Sequence, residues 1–182
     1  MDVKATYLND IKIIAADKFH DDRGWFSESW SAAAYADQEL GFDWVQDNHS
    51  FSAERGTLRG LHYQNPPHAQ DKLVRCTRGS IWDVAVDFRK KSPTFMKHVT
   101  VVLSAENGRQ LLVPKGFLHG FLTLTSNCEV QYKCSDYYAP DCDATIRWND
   151  PDLAIDWPID FEPNLSEKDS IAPFVTDTSS PF

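Results

Sequence analysis

Through the middle of the chain, apolar and polar residues alternate with a period of two. At that spacing, successive side chains of an extended strand leave opposite faces. In residues 81–89, Trp82, Val84, Val86 and Phe88 form an apolar row, while Asp83, Asp87 and Arg89 alternate with it. In residues 98–104, Val99, Val101 and Leu103 face one way and His98, Thr100 and Ser104 the other. Residues 72–77, 109–113, 117–125 and 129–134 read as strands in the same way. Turn chemistry separates these stretches, at Arg78-Gly79-Ser80, Ser92-Pro93, Glu106-Asn107-Gly108, Pro114-Lys115-Gly116 and Thr125-Ser126-Asn127. Short half-buried strands about 8–12 residues apart predict an all-β antiparallel sandwich or barrel. Only one helix is predicted. Ser29 or Ser31 can cap the alanine-rich run 32–40, and Gly41 suits its C-terminal stop. From about residue 160 the chain reads as a loop-rich tail around at most a short helical turn, with Pro163, Pro173 and Pro181.

No repeat, low-complexity tract or composition break divides the 182 residues, which are expected to form a single domain over 1–182. Eighteen Lys and Arg against 27 Asp and Glu give a net charge of −9. Nucleic acid and anionic membrane both reward positive charge, so neither is an expected partner. No apolar run approaches the roughly 18 residues of a membrane span. The start, Met1-Asp2-Val3-Lys4-Ala5-Thr6, lacks a signal peptide's apolar region. Cys76, Cys128, Cys134 and Cys142 form no Cys-x-x-Cys pair, and reduced thiols in a cytoplasmic protein are expected.

The densest polar segment is Gly56-Thr57-Leu58-Arg59-Gly60-Leu61-His62-Tyr63-Gln64. A strand carrying Arg59, His62 and Gln64, with Lys72 opening the next, gathers cations in an acidic chain, as an anionic small molecule requires. Edge charges around one satisfied core histidine would read the same way. Arg59 and His62 are three apart, so simple alternation puts them on opposite faces; both reach one site only if the strand bulges or twists near Gly60. By parity His119 shares a face with Phe117 and Phe121, and Tyr132 with Val130 and Cys134, which turns its hydroxyl inward. A metal-binding β-barrel needs His-x-His with a nearby Glu, whereas His62 is followed by Tyr63-Gln64 with no Glu in the next ten residues. No metal is expected, and phosphate-loop, dinucleotide and serine-elbow motifs are missing as well.

Residues 56–64, with Asp22-Arg23-Gly24-Trp25-Phe26-Ser27-Glu28 and Gln46-Asp47-Asn48-His49-Ser50, resemble the signature of the dTDP-4-dehydrorhamnose 3,5-epimerases. The likeness continues through Lys72-Leu73-Val74-Arg75, Asp83-Val84-Ala85-Val86-Asp87, Ser92-Pro93-Thr94 and Leu103-Ser104-Ala105-Glu106-Asn107. It resumes at residues 114–121, Trp148-Asn149-Asp150-Pro151 and Leu165-Ser166-Glu167-Lys168-Asp169. The resemblance implies an antiparallel cupin-type jelly-roll barrel with one or few short helices. It also implies a homodimer without metal or organic cofactor, acting on a dTDP-4-dehydro-6-deoxyglucose substrate in dTDP-L-rhamnose synthesis. On matching positions, His62 is the implied base, Asp169 its orienting carboxylate, Tyr132 the acid, and Lys72 the cation at the 4-keto oxygen. Arg59, Gln46, Asn48, His119, Tyr138 and Lys168 are implied nucleotide, phosphate and sugar contacts. Arg23 and Glu28 are implied contacts from the partner subunit, on which the N-terminal segment is expected to pack. Asp143 stands where the family commonly has Glu, one methylene longer, so its substrate contact would be lost or remade through water.

Such chemistry suits these groups. Histidine titrates near neutrality, and a carboxylate on its far nitrogen fixes the tautomer and stabilises the imidazolium. A fixed cation stabilises an enolate more than a ketone. A tyrosine is protonated at pH 7 and reaches the opposite ring face. Three competing readings are a mono-epimerase acting at C3 or C5 only, a metal-dependent cupin oxygenase, and a non-catalytic sugar-binding jelly roll.

Overall fold

Each alternating stretch must bury one row of side chains. In the computed structural model, which describes residues 1–182, two antiparallel sheets bring those rows face to face. The chain opens with β1 (Asp2–Ala5), β2 (Lys12–Ala15) and a small hairpin of β3 (Phe19–Asp21) and β4 (Gly24–Phe26). The helix α1 (Ala32–Ala36) and β5 (Gln46–Ser52) follow. Then come β6 (Leu58–Gln64), β7 (Lys72–Arg78), β8 (Ser80–Asp87) and β9 (His98–Ser104). The strand series ends with β10 (Arg109–Val113), β11 (Phe117–Thr123), β12 (Cys128–Cys134) and β13 (Asp143–Thr145), before a one-turn α2 (Glu167–Ser170). One sheet has the order β1-β2-β10-β7-β12-β5 and the other β13-β6-β11-β8-β9. From β5 onward the chain changes sheets at every connection except β8–β9, and β9 lies against β7 and β10 to close one side. The facing side, between β5 and β6–β13, is where polar side chains gather.

Apolar residues occupy three layers rather than one. Val74, Ile81, Val101, Leu111, Phe117 and Val130 fill the space between the sheets. Val84, Val86, Leu118 and Leu122 point the other way, under a C-terminal covering that contributes Ile146, Trp157 and Val175. On the outside of the first sheet, Ile14, Leu73 and Leu112 meet Tyr35 and Leu40. Fully burying a side chain of this size is worth about 1.5–3 kcal/mol, so both faces of each sheet hold their register.

The predicted helix over 32–40 is shorter than expected. Only Ala32–Ala36 is helical, Ser31 caps it without a side-chain hydrogen bond, and Tyr35 is its sole buried residue. Glu39 at φ +59° turns the chain before Gly41. With one anchoring side chain, tertiary packing supports a single turn and little more. The short strands β1 to β5 and β13 were not expected; each is too brief or too polar to show alternation.

The Ser92-Pro93-Thr94 segment ties the β8–β9 loop to a buried carboxylate. Asp87 is fully buried and accepts from the Arg89 backbone N–H at 3.1 Å, Arg89 Nε at 2.9 Å, Ser92 Oγ at 2.5 Å and Thr94 Oγ1 at 2.7 Å. Burial pushes this carboxyl up, but the donors outweigh it and hold it down at about 2. Because the folded value lies below the ordinary one, the ionised carboxylate's stabilisation is full above about pH 4 and disappears as pH falls through about 2. Asp87→Asn is expected to cost about 2 kcal/mol or more at pH 7 and to flatten the acid limb of stability between pH 4 and 2. Urea unfolding at pH 7 and pH 2.5 checks this; an unchanged acid limb contradicts it.

Candidate active site

The site begins with an irregularity in β6. His62 is the partner of His119 on β11, and Arg59 that of Phe121, so three residues of β6 run against two of β11. This is the bulge that a common destination for Arg59 and His62 requires. Leu58, Leu61 and Tyr63 turn outward into the C-terminal layer. Arg59 reaches across the cleft to β5, donating to Ser52 Oγ at 3.3 Å and the Phe51 carbonyl at 3.1 Å. Glycine is needed because Gly60 has φ +142°, and a Cβ there would stand 2.6 Å from Gly120 Cα.

His62 meets Asp169 across 107 residues, with Nε2 2.6 Å from Oδ1. Asp169 sits in α2 with 2% exposure, and its backbone N–H donates to the capping Ser166 at 3.2 Å. Burial alone pushes the Asp169 carboxyl up; the His62 contact and Ser166 reverse this and leave it below its ordinary value. The carboxylate is thus ionised at neutral pH and can accept from the imidazole at Nε2, an arrangement that leaves Nδ1 free to take a proton.

A second imidazole–carboxylate pair lies deeper. His119 Nε2 is 3.0 and 3.1 Å from the two oxygens of Asp83, which is wholly buried. Burial pushes the Asp83 carboxyl up, against the pull of His119 and Lys72. Lys72 is pushed down by burial, while Cys134, Asp143 and Asp83 oppose the shift. Burial also raises the Tyr132 phenol, so it stays protonated, with Arg59 and Asn48 nearby.

Smaller contacts shape the rim. Gln46 donates to Asn48 Oδ1 at 3.0 Å and accepts from the Tyr138 backbone N–H at 3.0 Å. Tyr138 donates its hydroxyl to Asp143 Oδ2 at 3.3 Å, and Lys168 forms an ion pair with the same oxygen. Hydrogen bonds, ion pairs, neighbouring charges and strand pairing therefore bring His62, Asp169, Lys72, Tyr132, Arg59, His119, Gln46, Asn48, Tyr138, Asp143 and Lys168 together. Arg23 and Glu28 are outside this group: Arg23 lies at the β3–β4 turn bound to Asp21 at 2.6 Å, and Glu28 is exposed. Sequence reasoning missed Asp83 as the partner of His119; its place in the polar row of β8 was the available signal. No three His, Cys, Asp or Glu side chains group as a metal ion requires.

Comparison with known proteins identifies the family and agrees with the fold. The family model for dTDP-4-dehydrorhamnose 3,5-epimerase matches residues 5–177. The dTDP-4-dehydrorhamnose 3,5-epimerase of Escherichia coli (strain K12) is 50% identical over 171 residues, covering 93% of this chain and 91% of the relative. The Bacillus anthracis dTDP-4-dehydrorhamnose 3,5-epimerase, solved with TDP and PPi bound, superimposes with a TM-score of 0.93 at 48% identity, covering 96% and 99% of the two chains. The Legionella pneumophila dTDP-6-deoxy-D-glucose-3,5-epimerase, in complex with dTDP-4-keto-L-rhamnose, gives 0.91 at 45% identity, covering 96% and 93%. The fold is the cupin-type jelly roll expected from the sequence.

The bulge yields a stability prediction. Gly60→Ala forces backbone against backbone and is expected to lower unfolding free energy by about 2–4 kcal/mol. Urea denaturation reads the change, and a loss below about 0.5 kcal/mol would show that the approach to Gly120 is slack.

Proposed function

The chain belongs to the dTDP-4-dehydrorhamnose 3,5-epimerase family, isomerases of dTDP-L-rhamnose synthesis, and we propose that His62, Asp169, Tyr132 and Lys72 carry out its reaction. The substrate is dTDP-4-dehydro-6-deoxy-D-glucose, inverted at C3 and C5 to dTDP-4-dehydro-L-rhamnose. The observation that carries the assignment is the 2.6 Å His62–Asp169 pair in one cleft with Lys72 and Tyr132.

His62 Nδ1 removes the proton beside the C4 carbonyl, and the Asp169 carboxylate stabilises the imidazolium that forms. Negative charge then develops on the 4-oxygen. Lys72, in a site of low polarity, stabilises it more in the enolate than in the ketone. Inversion needs a proton from the other side of the ring. His62 is on β6 in one sheet and Tyr132 on β12 in the facing sheet, so a sugar between them has base and acid on opposite faces. Once His62 has given its proton to solvent and Tyr132 has regained one, the same pair can serve C5 after C3 through a second enolate. Arg59 and Lys168 supply charge for the diphosphate, His119, Gln46 and Asn48 polar contacts, and Tyr138 an aromatic surface for thymine. Asp143 acts here through Lys168 and Tyr138, which it already holds.

The working unit in this reading is a homodimer, formed by a chain that folds as one domain. Phe19, Trp25 and Phe26 on the β3–β4 hairpin are 64%, 57% and 69% exposed, and an isolated two-stranded hairpin is barely stable in water. Packing against a second copy would cover these rings and bring Arg23 and Glu28 to the neighbouring cleft. No helix is long and apolar enough to cross a membrane, and a cytoplasmic site of action fits the four free thiols.

Two variants separate acid from base. In deuterated water the wild type is expected to place solvent label at both C3 and C5. Tyr132→Phe is expected to keep exchanging substrate protons while forming inverted product about 100-fold more slowly or worse. His62→Ala is expected to lose exchange and inversion together. NMR of label position and product decides: label at one carbon makes the enzyme a mono-epimerase, and near-normal inversion by Tyr132→Phe removes Tyr132 from the role of acid.

A further inference from the structure

Gln64 lies two residues beyond His62 on the same face of β6 and is 5% exposed. Its amide nitrogen donates to the His68 carbonyl at 2.6 Å and the Tyr137 carbonyl at 3.1 Å. Its amide oxygen accepts from the Ala139 backbone N–H at 2.8 Å. Both amide hydrogens and the oxygen are thus used, and the pattern fixes the amide's orientation, since a flipped group would set oxygen against two carbonyls. The contacts to Tyr137 and Ala139 grip the chain on either side of Tyr138, and Gln46 holds the Tyr138 N–H between them. The Tyr138 ring itself is 57% exposed, in an irregular stretch between β12 and β13 with little packing of its own.

We propose that Gln64 is a positioning residue that holds the Tyr138 surface at a set distance from His62, so that a bound nucleotide delivers its sugar to the base. This rests on the reading of the cleft as a dTDP-sugar site. One strand carries both the base and the pin for the aromatic platform, so their separation follows the rigid β6 backbone rather than the loop. An ordered platform binds more tightly than a mobile one because its freedom is already lost before the ligand arrives.

Gln64→Glu tests this with almost no change of volume. Its carboxylate faces two carbonyls and a single N–H, so the grip on Tyr137 and His68 is lost. Calorimetry with dTDP on the intact protein at pH 8 is expected to show binding weakened about 10–100-fold. KM should rise in step, while kcat at saturating substrate falls less than about threefold. Protonation of the new carboxyl restores one donor, so the gap from wild type should narrow as pH is lowered toward 6. A general loss of structure would move kcat as well and would not recover in acid. Unchanged dTDP affinity with wild-type binding intact overturns the role of Gln64 alone; a wild type that binds no dTDP overturns the reading of the cleft, and this inference with it. Should the variant not fold, amide exchange of Ala139 in the wild-type protein serves instead. Slow exchange is expected, and exchange at the rate of a free loop overturns the proposal.

Discussion

The close approach of β6 to β11 at Gly60 and Gly120 is the constraint on which the rest of the cleft depends. A side chain at Gly60 would collide with the backbone of its neighbour, so the two strands meet there only because both residues lack a Cβ. The extra residue accommodated at that point turns Arg59 and His62 to the same side. It also turns Leu58, Leu61 and Tyr63 into an apolar layer on the other side. The bulge therefore cannot slide. A shift of one position would bring Leu61 into the cleft and push the His62 imidazole into apolar packing, where an unpaired polar group costs several kcal/mol.

The carboxylate that orients His62 depends on a different set of contacts. Asp169 belongs to the C-terminal covering, which Ile146, Trp157 and Val175 pack against the second sheet and which a buried carboxylate, Asp150, ties together internally. Asp150 accepts from the backbone N–H groups of Asp152 at 2.9 Å, Leu153 at 3.2 Å and Val175 at 2.6 Å. That is the structural work of the Trp148-Asn149-Asp150-Pro151 segment. Arg147 adds a donor to the Ala172 carbonyl at 2.9 Å. The outer apolar layer thus has a catalytic consequence: it brings α2, four residues long and unable to persist alone, to the back of His62.

The cleft gathers cationic groups in an acidic protein. Arg59, Lys72, His119 and Lys168 gather where the sheets separate, and Asp83, Asp143 and Asp169 each hold one or two of the basic groups. The His119–Asp83 pair and Lys72 lie deep, where low polarity lengthens the reach of a charge, while Arg59 and Lys168 stand exposed at the rim. That same low polarity lets one lysine matter to an enolate oxygen.

Period-two alternation determined the strands from residue 72 to 134 and which side chains share a face, because both follow from the geometry of an extended backbone. It also required an irregularity at Gly60 if Arg59 and His62 were to act together, and motifs spread over most of the chain identified the family. Alternation did not decide which face lies inside. In β8 the apolar row of Trp82, Val84 and Val86 looks outward to the C-terminal covering, and the row containing Asp83 looks into the cleft. Nor did it show the short N-terminal strands, the single turn of α1, the pairing of Asp83 with His119, or the grip of Gln64 on both sides of Tyr138. Those rest on contacts between residues tens of positions apart. A local pattern records only the preferences of neighbouring residues, whereas the partner across a cleft is chosen by sheet order, layer packing and the cost of leaving a buried polar group unpaired.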